Sequence, residues 1–345
     1  MPMKSPLSEK VQQLLQDADS LNEIQFFRKL KDLIVADEIK RINIKEASSI
    51  AQLMDGNISK ITSKNQSSIL ATGFKNLDEI AALSLGDFVV LGGRPGMGKT
   101  QIIVNICDYV SSTTPILYYT FDLSKLLLSS RFLSVASGIS LDKITNQNLT
   151  ESEIKILSET AQSYGKHEIF INETGSQSIT AIRNQCEKYV KEKGVKLLVV
   201  DYMQLMSSRK YNHQRESEVS YISRELKNIA RDLNICVIAL SQLSRAVENR
   251  GGSKRPMLSD LRDSGAIEQD ADKVIFVYRP EYYDITEDED GNDARCVTEL
   301  IIAKNRSGKI GKAHLRRDAD FIKFYEYSDI NEFTFGQHRL DELKN

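Results

Sequence analysis

The stretch "GGRPGMGKT" (92–100) constrains the fold more than any other part of this 345-residue chain. It contains the pattern GxxxxGK[ST] as Gly93, Gly98, Lys99 and Thr100, directly after an apolar run and directly before an amphipathic one. A strand, a glycine-rich turn and a helix in this order bring backbone N–H groups and a helix N-terminus to one anion. The sequence therefore predicts a phosphate-binding loop.

In such a loop Lys99 supplies charge to the β- and γ-phosphates, and the Thr100 hydroxyl completes the ligand shell of Mg²⁺. ATP and Mg²⁺ are accordingly the expected cofactors. The residues predicted to bind the nucleotide are Gly93, Arg94, Pro95, Gly96, Met97, Gly98, Lys99, Thr100 and Gln101.

Short apolar runs alternate with amphipathic stretches after the phosphate loop. Strands are predicted at 87–92, 116–121, 168–172, 196–201, 235–240 and 273–278. Most are separated by helical patterns, which implies an α/β fold with a mostly parallel sheet covered on both faces. Two of these helices are 150–163, opened by a capping box from Thr150 to Glu153, and 214–233. The late stretch "VTELIIAKNRSGKIGKAHLRRDADFIKFYEY" alternates apolar and polar residues, which predicts an antiparallel hairpin at the sheet edge.

The patterns divide the chain into a helical N-terminal arm and linker (1–65), an ATPase domain (66–330) and a C-terminal tail (331–345). The linker is expected at "DGNISKITSKNQSS", and the acidic, turn-rich 281–294 is expected to be a solvated loop.

The amino-acid composition excludes few classes of function. Apolar runs are too short for a membrane helix and the N-terminus has no apolar signal core, so a cytoplasmic protein without membrane contact is expected. The four cysteines are widely spaced in mostly apolar segments, as reduced, buried thiols would be. The net charge of −2 leaves room for a local basic channel.

Three polar residues end predicted strands. Asp201 closes the apolar "KLLVVD" and is expected to hold Mg²⁺ at the carboxyl edge of the sheet. Gln242 follows the strand at 235–240, where it either senses the γ-phosphate or is an ordinary loop amide. Asp122 follows 116–121, a strand expected to lie beside the phosphate-loop strand, and could cap the next helix, orient water, or do both.

Five longer stretches resemble one family. "TGFKNLDEI", "VVDYMQLM", "ISRELKNIARDLNICVIALSQLSRAVENR", "RPMLSDLRDSGAIEQDADKVIFVYR" and "AKNRSGKIG" are together similar to the C-terminal motor domain of the replicative DNA helicases of the DnaB type. The resemblance covers roughly residues 68–327. It implies a RecA-like P-loop fold and a homo-hexameric ring that moves 5′-to-3′ on single-stranded DNA by hydrolysing ATP.

The resemblance also implies roles for single residues. Gln242 would couple the nucleotide to the DNA-binding loops, and Lys304 and Arg306 would reach into the neighbouring subunit's site as a trans-acting cation and an arginine finger. If the protein were monomeric, "KNRSG" would only be a basic strand end and turn.

Two segments are candidate DNA contacts. The resemblance indicates Arg262, Asp263 and Gly265, whose side-chain and backbone groups would follow the phosphates. The basic segment 244–255 is the second candidate, and the alternative for it is a solvated mobile loop. Its cations are Arg245, Arg250, Lys254 and Arg255.

The sequence departs from the family in two places. The family has a much longer helical N-terminal domain, which forms a collar and meets the primase, than the 1–65 region here. Its strand after the phosphate-loop helix runs into Leu-Glu-Met-Ser, whose Glu polarises water, whereas this chain has "TFDLS" with Asp122. A DNA-stimulated ATPase that acts as a switch or loader, and a structural DNA clamp, therefore remain alternatives to a helicase that works with a loader or primase.

Overall fold

The computed structural model describes residues 6–16, 23–41, 49–62, 68–175, 177–207, 215–251, 253–261, 265–287, 291, 293–318 and 322–326. The chain separates into two compact units, Met1–Gln66 and Ser67–Asn345. The expected tail 331–345 lies outside the described residues. None of the described helices is long and apolar enough to cross a membrane.

The smaller unit is helical, with α1 (Pro6–Gln16), α2 (Glu23–Arg41) and α3 (Ile50–Thr62). The N-terminus of α3 is capped reciprocally, because Gln52 N–H donates to Ser49 Oγ (3.3 Å) and Ser49 N–H donates to Gln52 Oε1 (3.0 Å). The prediction of a linker is wrong for residues 55–62, since α3 continues to Thr62, and residues 63–67 lie outside the described part of the chain. Its apolar residues keep their helical spacing past Gly56, and this outweighs the weak helix propensity of glycine.

The larger unit is built on strands β1 (Ile69–Leu70), β2 (Leu83–Ser84), β3 (Phe88–Gly93), β4 (Ile116–Thr120), β5 (Ile169–Glu173), β6 (Leu197–Asp201), β7 (Cys236–Gln242), β8 (Lys273–Tyr278), β9 (Val297–Asn305), β10 (Gly311–Arg317) and β11 (Phe324–Glu326). Its helices are α4 (Lys75–Ala81), α5 (Lys99–Val110), α6 (Lys125–Ser137), α7 (Leu141–Thr145), α8 (Glu151–Ser163), α9 (Ile179–Lys193), α10 (Arg215–Leu233), α11 (Ala246–Asn249) and α12 (Gly265–Asp270).

The main sheet has the order β11-β10-β9-β8-β3-β7-β6-β4-β5 in the described part of the chain. Strands β8 to β5 of this order are parallel, and β9, β10 and β11 run antiparallel at one edge. The predicted α/β fold with antiparallel edge strands is confirmed. The capping box at Thr150 is also present, at the start of α8.

Burial on both faces explains why the parallel strands are so apolar. Every residue of β3, β4 and β6 is buried. One face packs on α5 through Ile102, Ile103 and Ile106, and the other packs on α10 through Ile222, Leu226 and Ile229. Cys107, Cys186 and Cys236 are free thiols buried within these layers, as the sequence predicted.

The strand order corrects the expected neighbours of the phosphate-loop strand. β7 lies between β3 and β6, and both β7 and β6 lie between β3 and β4. The prediction that β4 lies beside β3 is therefore wrong. β7 comes from a later part of the chain and is inserted next to β3, an arrangement that order along the chain does not reveal. The carboxyl ends of β4, β6 and β3 still meet at one edge of the sheet.

Candidate nucleotide-binding site

The phosphate loop joins β3 to α5 and has the backbone that an anion cradle requires. Gly96 and Gly98 adopt φ values of 78° and 90°, in the left-handed region that favours glycine. A side chain on Gly93 would meet Lys99 Cγ at 3.2 Å and the Val277 carbonyl at 3.3 Å. Gly98 directly precedes α5, so the N-terminus of this 12-residue helix opens onto the loop.

Some side chains of the predicted nucleotide-binding residues support the loop from within. Met97 is buried in the core. The Gln101 amide donates to the Ile322 carbonyl (2.6 Å) and accepts from Arg131 (3.1 Å). Arg94 donates to the Leu243 carbonyl (2.8 Å) and pairs with Glu248 (2.7 Å). These three residues are thus placed to offer a nucleotide their backbone, whereas Pro95 and Gly96 are exposed.

Lys99 lies over its own loop. Its ammonium group donates to the carbonyls of Gly93 (2.8 Å) and Arg94 (3.0 Å). Burial lowers the pKa of Lys99 to about 8; the charge of Asp201 opposes this shift and that of Arg94 adds to it. A bound polyphosphate would favour the charged form of this lysine.

Thr100 and Asp201 are directly hydrogen-bonded across the site. The Thr100 hydroxyl donates to Asp201 Oδ2 at 3.0 Å, and only 5% of Asp201 is exposed. Burial raises the pKa of Asp201, whereas hydrogen bonds from Thr100 and Tyr118 and the charge of Lys99 lower it, and Asp122 raises it. A hydroxyl beside a buried carboxylate is an oxygen donor set suited to Mg²⁺. These residues fit the expected metal.

Asp122 is exposed at the same edge and does not cap α6. The capping residue is Ser124, whose hydroxyl accepts from Leu127 N–H at 3.2 Å. The interpretation of Asp122 as a helix cap is therefore wrong, because Ser124 already fills that position. Burial and then the Asp122 charge raise the pKa of Tyr202, which follows Asp201. The two carboxylates therefore lie at the same edge of the sheet, where the charge of Asp122 acts on Asp201.

Gln242 ends β7 opposite Gly93, the first residue of the phosphate motif. Its backbone is hydrogen-bonded to Gln204, an amide in the turn Met203–Leu205 after β6 that sequence reasoning missed. Gln204 accepts from Gln242 N–H (3.2 Å) and donates to the Ser241 hydroxyl (2.8 Å) and the Gln242 carbonyl (3.2 Å). A polar residue three positions after Asp201 in the apolar "VVDYMQLM" was the available signal.

Lys304 and Arg306 lie at the opposite end of the sheet from the phosphate loop. Arg306 N–H donates to the Asp272 carbonyl (2.9 Å), and Asp272 N–H donates to the Phe88 carbonyl (2.8 Å). Arg306 is therefore level with the first residue of β3, whereas the phosphate loop follows the last residue of β3, about 17 Å away along the strand.

The side chains of Lys304 and Arg306 hydrogen-bond backbone carbonyls of α12. Lys304 donates to the carbonyls of Glu268 and Gln269, and Arg306 donates to the carbonyl of Gln269. Burial and the neighbouring Arg306 lower the pKa of Lys304.

The predicted DNA contacts are only partly placed. Arg262 and Asp263 lie outside the described residues, and Gly265 is the first residue of α12.

The segment 244–255 is less free than expected for a flexible basic loop. Arg250 pairs with Asp260 (2.9 Å), and Arg255 pairs with Glu299 (2.8 Å) and lies over the Tyr278 ring. Acidic groups distant in sequence therefore hold Arg250 and Arg255, which a solvated mobile loop would not do. Lys254 donates to the carbonyls of Glu248 (2.9 Å) and Arg250. Arg245 is exposed at the start of α11.

The start of the acidic stretch 281–294 packs against the phosphate loop. Arg279 donates to the Gly96 carbonyl (2.9 Å), and the Tyr282 ring lies beside Gly96. Glu281 accepts hydrogen bonds from Arg279, from Arg317 and from Cys296 N–H (2.9 Å). Burial raises the pKa of Glu281, but these hydrogen bonds outweigh burial and lower the pKa to about 2. The prediction of a solvated loop is therefore wrong for its first residues, which the turn Pro280–Tyr283 builds into the site.

Tyr118 is a further residue that sequence reasoning missed. Its hydroxyl donates to Asp201 Oδ2 at 3.0 Å from within the core. In the sequence it is simply one of the apolar residues of a buried strand.

A family model and individual relatives both indicate that the chain is similar to replicative DNA helicases. The family model for the DnaB-like helicase C-terminal domain matches residues 70–326. A probable replicative DNA helicase of Trieres chinensis is 42% identical over 75% of this chain and 57% of its own length. The replicative DNA helicase DnaB of Haemophilus influenzae is 35% identical over 80% of this chain and 59% of its own length. The chain thus spans just under three fifths of these two relatives.

Solved structures agree with the sequence relatives. A structure described as an ATPase domain superimposes with a TM-score of 0.73 at 31% identity, covering 81% of this chain and 99% of that one. A DnaB-like replicative helicase, studied with its interactions with primase, gives 0.70 at 29% identity, covering 92% of this chain and 76% of that one. The chain belongs to the family of DnaB-like helicase C-terminal domains.

Proposed function

We propose that this chain is an ATP-dependent replicative DNA helicase motor that moves 5′-to-3′ on single-stranded DNA. The observation that carries the proposal is the hydrogen bond between the Thr100 hydroxyl and Asp201, beside a glycine loop on which Lys99 lies. These groups are what binding and hydrolysis of a Mg²⁺–nucleotide require. Family membership and the replicative helicases among the relatives support DNA as the partner.

Each residue has a distinct role in this proposal. The loop amides and Lys99 bind the phosphates, Thr100 and Asp201 hold Mg²⁺, and Asp122 orients the attacking water. When bound, Mg²⁺ would neutralise charge on the β- and γ-phosphates. Gln242, opposite Gly93, would transmit the state of the nucleotide to the DNA-binding segments.

The position of Lys304 and Arg306 supports a ring with active sites between subunits. They lie at the end of the sheet remote from their own phosphate loop, so any contact with a nucleotide would be to one bound by a neighbouring copy. A homo-hexamer would also gather six copies of the segments near Gly265 and Arg245 around one pore. The DnaB-like helicase studied with its interactions with primase supports a primase as an additional partner. A loader is the alternative partner.

The proposed unwinding is tested by strand displacement of a forked DNA duplex. We expect displacement with ATP and a 5′ single-stranded tail, and none with a non-hydrolysable analogue or a 3′ tail alone. Hydrolysis stimulated by DNA without displacement would contradict the helicase and support a switch or loader. DNA binding without hydrolysis would support a structural clamp.

Asp122 is the feature that favours the structural clamp. Its side chain is about 1.5 Å shorter than a glutamate, and displacement of a reacting group on that scale can lower a rate by about 10²-fold. ATP hydrolysis should therefore be slow but measurable.

Substitutions at Asp122 separate a role in hydrolysis from a structural one. Asp122→Asn should lower ATP turnover by roughly 10²-fold, since it removes the group that accepts the proton of water. Asp122→Glu should raise turnover above that of the unmodified protein. Steady-state ATP hydrolysis with saturating single-stranded DNA measures both.

The matched control is the true capping residue. Ser124→Ala should lower the free energy of unfolding by about 1 kcal/mol and leave turnover unchanged. Unaltered turnover in Asp122→Asn, with DNA binding and assembly intact, would exclude the proposed role.

A further inference from the structure

A buried tyrosine contacts the metal-binding carboxylate from the side opposite to solvent. Tyr118 lies on β4 and is completely buried, and its hydroxyl donates to Asp201 Oδ2 at 3.0 Å. The same oxygen accepts from the Thr100 hydroxyl at 3.0 Å. One carboxylate oxygen therefore receives two neutral donors, one from the phosphate-loop helix and one from the core.

The register of the sheet explains why this position requires a tyrosine. β4 pairs with β6 so that Thr120 is opposite Asp201 and Tyr118 is opposite Val199. Tyr118 is thus diagonal to Asp201, two residues back along the strand, or about 7 Å. Long aromatic side chains span such a diagonal, whereas a serine or threonine hydroxyl would be too short.

The ring of Tyr118 packs among apolar residues. The ring belongs to the apolar layer that includes Cys107 and Val199, and it packs edge-to-face on Phe132 with 6.4 Å between centroids. A buried hydroxyl without a partner is destabilising, so this geometry keeps the donor directed at Asp201. Phe132 lies on α6, the helix that begins just after Asp122.

We propose that Tyr118 is a positioning residue that orients the Asp201 carboxylate for binding of a Mg²⁺–nucleotide. This inference rests on the proposed function only in so far as Asp201 holds the metal. The Thr100 hydroxyl is itself a candidate metal ligand, whereas Tyr118 donates to Asp201 from within the core and acts through that carboxylate. Partners of this kind, behind a metal-binding residue, contribute to metal affinity by fixing the ligand.

The test is the Mg²⁺ dependence of nucleotide binding in the full chain. Tyr118→Phe keeps the shape of the ring and removes only the donor. The probe is a fluorescent ADP analogue titrated at increasing Mg²⁺ concentration. We expect the Mg²⁺ concentration for half-maximal binding to rise by about 10-fold, while binding in excess EDTA stays within about twofold of the unmodified protein because the loop contacts to phosphate are untouched.

The adjacent residue supplies a matched control. Tyr119 is also buried, but it belongs to the other face of the sheet, and its hydroxyl donates to Gln185 (2.6 Å) away from the site. Tyr119→Phe removes one buried hydroxyl in the same way and should leave the Mg²⁺ dependence unchanged.

Three results would overturn the proposal. The first is an unchanged Mg²⁺ dependence in Tyr118→Phe, and the second is an equal shift in Tyr119→Phe. The third is a parallel loss of thermal stability and of EDTA-insensitive binding, which would assign Tyr118 a structural role.

The same titration separates this inference from the proposed function. If the unmodified protein binds the ADP analogue in a Mg²⁺-dependent way but unwinds no DNA, the helicase assignment fails and the expected shift in Tyr118→Phe still supports positioning. If it shows no Mg²⁺-dependent binding, both fail.

Discussion

Arg306→Ala should lower DNA-stimulated ATP hydrolysis by about 10³-fold or more, the range expected when an arginine finger is removed. The side chain is half exposed and lies 3.6 Å from Asp272, at the end of the sheet remote from its own phosphate loop. It can therefore act on transition-state charge only at a neighbouring subunit. Nucleotide binding by the isolated variant should be nearly unaffected, because its own loop is intact.

Mixing two inactive variants tests this arrangement directly. In a ring of Arg306→Ala and Lys99→Ala chains, some interfaces combine an intact phosphate loop with an intact Arg306, so hydrolysis should reappear. Steady-state ATPase rates over a range of mixing ratios provide the measurement. Lys309→Ala, which removes an exposed cation from the same turn, is the matched control and should retain full activity. Failure of the mixture to recover, with mixed assembly demonstrated, would rule out action in trans.

Asp201→Asn should almost abolish hydrolysis without destabilising the fold. Loss of the charge proposed to hold Mg²⁺ should remove several kcal/mol of transition-state stabilisation, which corresponds to a fall of roughly 10³-fold. Burial raises the pKa of Asp201, so the charged form is costly in the folded state, and a neutral amide of the same shape relieves that cost. Thermal unfolding should therefore show equal or greater stability than the unmodified protein.

A second buried aspartate, Asp260, is the control, because its substitution should have the opposite effect on the stability of the fold. Asp260 accepts from Arg250 (2.9 Å) and from Met257 N–H (2.7 Å). Asp260→Asn should lower the free energy of unfolding by about 1–3 kcal/mol, because it weakens charged hydrogen bonds that the fold uses. A large loss of stability in Asp201→Asn, comparable with that of Asp260→Asn, would show that Asp201 is mainly structural.

The sequence predicted the parts of the fold that depend on local patterns. The strands predicted at 87–92 and 196–201 were visible because continuous apolar runs end there in glycine or acid. The antiparallel edge was visible as alternation in β9 and β10. Strand order was not visible, because β7 is inserted between β3 and β6 by packing between segments far apart in the chain. The assignment of β4 beside β3 failed for that reason.

The same distinction applies to the candidate site. Lys99, Thr100 and Asp201 carry their chemistry in a motif or at a strand end, and the structure brings them together. Tyr118 and Gln204 were missed because their role depends on a diagonal or cross-strand contact. The ion pairs of Arg250 and Arg255 were missed as well, because their partners, Asp260 and Glu299, come from other parts of the fold.

The remote position of Arg306 has a consequence for the number of working sites. Under the proposed arrangement a single chain contains two halves of different sites and no complete one. An open row of n subunits then has n − 1 complete sites, and closing the row into a ring adds the last. The ATPase activity per chain should therefore depend on protein concentration and on ring closure. A factor that opens the ring to admit DNA would also inactivate one site.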